Sequence, residues 1–192
     1  MPKIDTSAFR PGLAILVDDE IYSIVDFQHV KPGKGGAFVR TRLKGIENEK
    51  NIEKTFRSGE KVESVRIESQ PYQFLYSDGD LFFFMHQDTY EQIPLEKSRV
   101  QKSEFIADGT VCTLIVDVDN DQILYAEPPA HITTQVEKTD PGLRGDTAQG
   151  GSKPATIASG ATIQVPLFIN TGDEIKVDTR TGVYIERVNS NG

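Results

Sequence analysis

Lys34 sits in the run VKPGKGGAFVR, residues 30 to 40, with Pro32 and Gly33 before it and Gly35 and Gly36 after it. A lysine offers a compact ammonium with three donors on a flexible stem, which suits contact with phosphate and sugar oxygens. Proline presets φ and glycine frees the backbone, so the segment reads as a hairpin tip from which Lys34 projects into solvent. Arg40, Arg42 and Lys44 follow at period-two spacing, which in a strand places three cations on one face. With Lys31 and Lys34 they are the five basic residues between Phe27 and Ile46, a stretch without an acidic residue. An ordinary solvated turn would use the same residue types. The basic strand and the acid-free surroundings weigh toward a phosphate-contacting face with a probe at its end.

Other reactive side chains point to little chemistry. The single cysteine, Cys112, lies in the apolar run VCTLIVDV, where a buried, unreactive thiol is expected. His29, His86 and His131 are scattered, and no pair has a metal-ligand spacing such as HxxxH. Asp117-Val118-Asp119-Asn120-Asp121 has the composition of an aspartate-rich hairpin turn rather than of a cation site. The expectation is a protein that is not an enzyme and holds no metal or cofactor.

The formal charge of -8 is unevenly distributed. Residues 1 to 64 carry 11 Lys and Arg against 10 Asp and Glu, residues 65 to 128 carry 4 against 12, and residues 129 to 192 carry 6 against 7. Fields are screened over a Debye length of roughly 8 to 10 Å, so acidity in the middle third does not cancel a cationic patch elsewhere. No window approaches the ~18 consecutive apolar residues of a bilayer span, and the first residues lack the apolar core of a secretory signal. A cytoplasmic protein with no membrane partner is expected.

The elements that must position these residues are strands, because alternation recurs from end to end and helical periodicity is scarce. Expected strands are LAILVD (13 to 18), EIYSIVDFQHV (20 to 30), AFVRTRLK (37 to 44), the stretch around Val62 to Ile67, QPYQFLYSD, DLFFFMHQ, TVCTLIVDVD, QILYAEP, HITTQVEK, ATIQVPLFIN, DEIKVDT and GVYIERV. Asp18-Asp19 marks a tight reversal, and Asp178 to Gly182 closes the final pair as a hairpin. A short helix is expected near Tyr90 to Ser98. Phe82-Phe83-Phe84 reads as strand core plus a barrel or interdomain contact. Four or five short strands per third suit three small closed barrels, with domains at 1–64, 65–128 and 129–192. Glu127-Pro128-Pro129-Ala130 is expected to be a stiff joint. Barrels of this size are roughly 25 to 30 Å across, so three in an extended chain would span about 80 Å, the length of a folded tRNA.

VKPGKGGAFVR, together with FRPG near the start, LRGDTAQGGSKPAT (143 to 156) and GATIQVPLFINTGDEIKVDTRTGVYIERV (160 to 188), resembles bacterial elongation factor P over the entire chain. The resemblance implies an all-β protein, an SH3-like barrel of the KOW type followed by two OB folds in an elongated, tRNA-like arrangement. It implies a translation factor that binds the ribosome between the peptidyl and exit tRNA sites, touching both subunits and their rRNA, and relieves stalling at consecutive prolines. The family's tip residue, which contacts the CCA end of the peptidyl-tRNA and is often modified, falls on Lys34, which leaves room for a modifying enzyme as a partner. Its glycine-aspartate-threonine loop, placed at the exit-site codon, falls on Gly145, Asp146 and Thr147. The tyrosine and arginine that face the peptidyl-tRNA body fall on Tyr184 and Arg187. From residue type alone, Gly145 to Thr147 equally fit an Asx-capped turn. Tyr184 and Arg187 are three apart, hence on opposite faces of a regular strand, so one of them could be structural. A general single-stranded RNA-binding OB protein is the competing reading. The net -8 of the middle third speaks against it, since it would repel a threaded strand.

Overall fold

The computed structural model describes residues 1–142 and 150–188. Among them the regular elements are strands, with three single-turn 3-10 helices at Thr6–Ala8, Lys97–Arg99 and Ser103–Phe105. Lys3–Asp5 (β1), Ala14–Val17 (β2), Glu20–Val30 (β3), Phe38–Gly45 (β4), Asn51–Arg57 (β5) and Lys61–Ser64 (β6) form one sheet in the order β1-β6-β2-β3-β4-β5. Ile67–Asp78 (β7), Leu81–His86 (β8), Gln92–Glu96 (β9), Val111–Asp117 (β10) and Gln122–Glu127 (β11) form a second, ordered β11-β10-β7-β8-β9. His131–Thr139 (β12), Ser152–Ile157 (β13), Thr162–Pro166 (β14), Glu174–Asp178 (β15) and Val183–Arg187 (β16) form a third, ordered β14-β13-β12-β15-β16. The chain is all-β, as expected.

By compactness it divides into two units, Met1–Ser69 with Ile115–Tyr125, and Gln70–Leu114 with Ala126–Gly192. The core of the first is built on the alternation of β2 to β4. Ile15, Ile24, Val39 and Leu43 are essentially inaccessible to solvent, and Phe9 meets Phe56 edge to face at 5.4 Å. Asp18 and Asp19 turn from β2 into β3 with φ of 50° and 63°, the doubly left-handed backbone that matches the twist of a tight hairpin. In the second unit Val136, Ile157, Ile175 and Val177 form a buried cluster that also takes in Phe105. The segment Pro128 to Ala130 is tied to Thr179. The buried Thr179 donates its hydroxyl to the Pro129 carbonyl at 2.6 Å and its N–H to the Ala130 carbonyl at 2.9 Å.

Two expectations are corrected. The helix expected near Tyr90 to Ser98 is the strand β9, followed by the turn at Lys97–Arg99. Ile93 and Leu95 alternate inward while Pro94 sits between them on an edge strand, where a missing N–H is tolerated. Tyr90, at φ 60°, donates its N–H to the His86 carbonyl and makes the preceding turn. The stretch Val62 to Ile67 is also not one strand, because β6 ends at Ser64 and β7 begins at Ile67 in another sheet.

Candidate functional site

β3 and β4 pair from Tyr22↔Gly45 out to Val30↔Phe38, and residues 31–37 close the end of this ladder. At ~3.3 Å per residue, an 11-residue strand such as β3 spans roughly 36 Å. Phe27 stacks edge to face on Phe9 at 6.4 Å and on His29 at 5.6 Å, and Phe27 packs on the core cluster, which stiffens the stalk. Lys31, Pro32, Gly33, Lys34, Gly35 and Gly36 are all exposed, and Lys34 takes part in no ion pair among the described residues. The glycines are not equivalent. Gly35 has φ +105° and needs to be glycine, whereas a Cβ at Gly33 or Gly36 would meet nothing within 4 Å.

Along β4, Arg40, Arg42 and Lys44 are exposed and alternate with buried Val39, Thr41 and Leu43, as the period-two spacing predicts. The acid-free run does not leave them unpaired, however. Arg42 pairs with Asp26 on β3 and lies opposite Glu53 on β5, and Lys44 comes within 3.8 Å of Glu49. Neighbouring strands and the turn after β4 supply what the run itself lacks. These pairs are open to solvent on both sides, so each holds only weakly and can exchange a carboxylate for a phosphate. Arg40 differs. Its strand partners are Gln28 and Thr55, and its guanidinium lies over the Phe38 ring at 5.9 Å, so its charge faces no acid across the ladder.

In the second unit, Tyr184 and Arg187 do not point to opposite faces. β15 and β16 pair as Val177↔Tyr184 and Ile175↔Arg187, with a register shift between them that inserts one extra residue into β16. Val177 and Ile175 share the buried face of β15, so the bulge brings both partners to one side. Tyr184 is half-buried against the core, and that burial raises its hydroxyl pKa while the Arg187 charge opposes the shift. Arg187 reaches Asp173 at 3.9 Å and lies over Phe168 at 5.4 Å. Phe168 is not legible as a site residue in the run ATIQVPLFIN. Its one signal is phase, since Ile163, Val165 and Ile169 are buried while Phe168 falls between them. Gly145, Asp146 and Thr147 lie outside the described residues.

Phe82 and Phe84 are buried as core, and Phe83 faces the other way, stacked on Tyr76 with centroids 4.6 Å apart. Among the described residues no group of three or more His, Cys, Asp or Glu is placed to hold a metal ion, and no helix is long and apolar enough to cross a membrane. Cys112 is buried, and desolvation pushes its thiol up to about 12. Native protein is therefore expected to resist alkylation by iodoacetamide at about pH 8 while the urea-unfolded chain labels readily. Equal labelling rates would contradict this.

Three family models cover the chain in succession: the elongation factor P KOW-like domain over residues 5–62, the elongation factor P OB domain over 67–126, and the elongation factor P C-terminal model over 132–187. The elongation factor P of Thermoanaerobacter sp. (strain X514) is 52% identical over 181 residues, covering 94% of this chain and 97% of that protein. That of Natranaerobius thermophilus is 50% identical over 186 residues, covering 96% and 98%. Among solved structures, a eukaryotic translation initiation factor 5A from Methanococcus jannaschii superposes with a TM-score of 0.53 at 27% identity, covering 65% of this chain and 93% of that one. With a KOW-like domain, an OB domain and a C-terminal domain matched in order, and relatives about half identical over nearly the full length, the chain belongs to the elongation factor P family of translation elongation factors.

Proposed function

We propose that this factor binds the ribosome between the peptidyl and exit tRNA sites and speeds peptide bond formation at consecutive prolines, with Lys34 stabilising the CCA end of the peptidyl-tRNA. The observation that carries the reading is Lys34 itself, an exposed amine on a glycine-turned tip at the end of a long, aromatic-braced hairpin. Proline constrains the reacting ends, so holding the peptidyl-tRNA in an aligned pose lowers an entropic barrier and asks no acid or base of the factor. A tenfold gain needs only about 1.4 kcal/mol. A lysine side chain spans several Å, and a group attached at Nζ by a modifying enzyme would extend its reach and add donors. Three domains at 1–64, 65–128 and 129–192 are consistent with one sheet lying in each third. Gly145, Asp146 and Thr147 are assigned to the exit-site codon, and Tyr184 with Arg187 to the body of the peptidyl-tRNA. Lys31, Arg40, Arg42 and Lys44 supply backbone contacts to RNA.

Salt dependence tests the role of these cations directly. Substituting Arg40, Arg42 and Lys44 together with glutamine is expected to flatten the dependence of ribosome affinity on salt. The slope should fall by roughly 0.7 to 0.9 for each phosphate that is no longer neutralised. Arg40→Gln alone should account for the largest share, because Arg42 and Lys44 already face carboxylates. An unchanged slope in the triple variant would remove these residues from the interface. The competing reading, general binding of single-stranded RNA, draws on the stacked and half-exposed Tyr76. Filter binding to free oligonucleotides separates the two, since a ribosome factor should retain them poorly.

A further inference from the structure

Phe168 is 57% exposed although its successor, Ile169, is fully buried. A turn closed by the Ile169 N–H on the Pro166 carbonyl at 3.1 Å pins the core residue and thereby holds the phenylalanine out. Behind this turn the backbone is tightly packed, because a Cβ at Gly142 would stand 2.7 Å from the Leu167 carbonyl oxygen. The ring therefore sits on a fixed base. One of its faces is occupied by the Arg187 guanidinium at 5.4 Å. Arg187 is restrained in turn by its strand pairing with Ile175 and by Asp173 at 3.9 Å, whose carboxylate also accepts the Asn170 N–H at 2.8 Å. At 57% exposure the residue keeps more than half of its surface open to solvent.

A fixed, exposed aromatic ring backed by a cation is a platform for a flat π system. We infer that Phe168 and Arg187, braced by Asp173, form a stacking site for one RNA base. The inference rests on the proposed ribosomal function for its partner, and it adds Phe168 to the RNA-facing residues. A protein side chain is the other possible occupant of an exposed ring, and planarity distinguishes the two, since a base needs a flat surface whereas an apolar protein contact needs only area.

The test uses the full-length factor and programmed ribosomes, scored by binding. Phe168→Ala is expected to weaken ribosome affinity roughly tenfold, within the range that alanine substitution of a base-stacking aromatic produces. Phe168→Leu should fall with alanine, and Phe168→Tyr should stay within about twofold of the wild type. A photoreactive phenylalanine analogue at position 168 should crosslink to RNA. Comparing complexes with and without peptidyl-site tRNA then tells whether the base belongs to the tRNA or to rRNA. Wild-type affinity in Phe168→Ala, rescue by leucine, or crosslinks only to protein would each overturn the inference. Failure of the wider reading shows separately, as retained stimulation of proline synthesis in Lys34→Ala.

Discussion

Lys34→Ala is expected to lose the stimulation of Pro-Pro bond formation, by on the order of ten- to a hundredfold in rate, while binding the ribosome nearly as well as the wild type. The side chain is exposed and outside any ion pair among the described residues, so its truncation leaves folding within about 0.5 kcal/mol. A single cation at phosphate range, one of many, contributes little to binding a particle the size of the ribosome. On the proposed reading the same amine acts at the nucleotides that carry the nascent chain, where misplacement by ~1 Å costs about a hundredfold. Affinity and rate should therefore separate in this variant. Lys34→Arg keeps the charge and removes the primary amine, so full activity with arginine assigns the role to charge, and inactivity assigns it to the amine and any group built on it. An intact mass of the native protein above that of its sequence, absent from Lys34→Ala, reads such a group directly. Dipeptide and tripeptide proline synthesis measured with all three proteins decides the matter, and equal rates for wild type and alanine would refute the assigned role.

The tip is legible in the sequence because its logic is local. Pro32 and the glycines specify a turn within six residues, and the alternation of β3 and β4 specifies a stalk. The cationic face is legible in placement and not in pairing, because Asp26 and Glu53 reach it from neighbouring strands and Glu49 from the turn after β4. Strand pairing is non-local, and no window along β4 contains it. β5 and β13 are hidden for local reasons instead. Asn51–Arg57 is mostly polar and largely exposed, with only Ile52 and Phe56 apolar, so it carries little hydrophobic alternation. Ser152–Ile157 contains Pro154, which ordinarily demotes a strand. Here β12 pairs with β13 only as far as Ala155, so Pro154 lies past the end of that ladder and is paired only to Gln164 of β14. For Tyr184 and Arg187 a strict period of two gives opposite faces, and a single inserted residue reverses it.

Phe105 offers the largest expected effect on stability. It stands on the single-turn helix Ser103–Phe105, between β9 and β10 of the second sheet, yet it belongs to the buried cluster formed by Val136, Ile157, Ile175 and Val177 of the third. Two further contacts fix it there. Ser159 donates its hydroxyl to the Glu104 carbonyl at 2.6 Å, and the hairpin glycine Gly182 approaches so closely that a Cβ would stand 3.2 Å from the tip of the Phe105 ring. Phe105→Ala removes a buried aromatic from a packed site and is expected to cost about 3 to 5 kcal/mol. Since the chain forms two units, the destabilisation should appear as reduced hydrogen-exchange protection in β12 to β16 while β2 to β5 stay protected. Gly182→Ala should also destabilise, for two separable reasons: φ of +71° is unfavourable for alanine, and its methyl presses on Phe105. Once the Phe105 ring is gone, Gly182→Ala adds only the backbone strain, roughly 1 to 2 kcal/mol. The double variant is thus expected to be destabilised by less than the sum of the two single variants, and strict additivity would show that Phe105 and Gly182 do not share this contact.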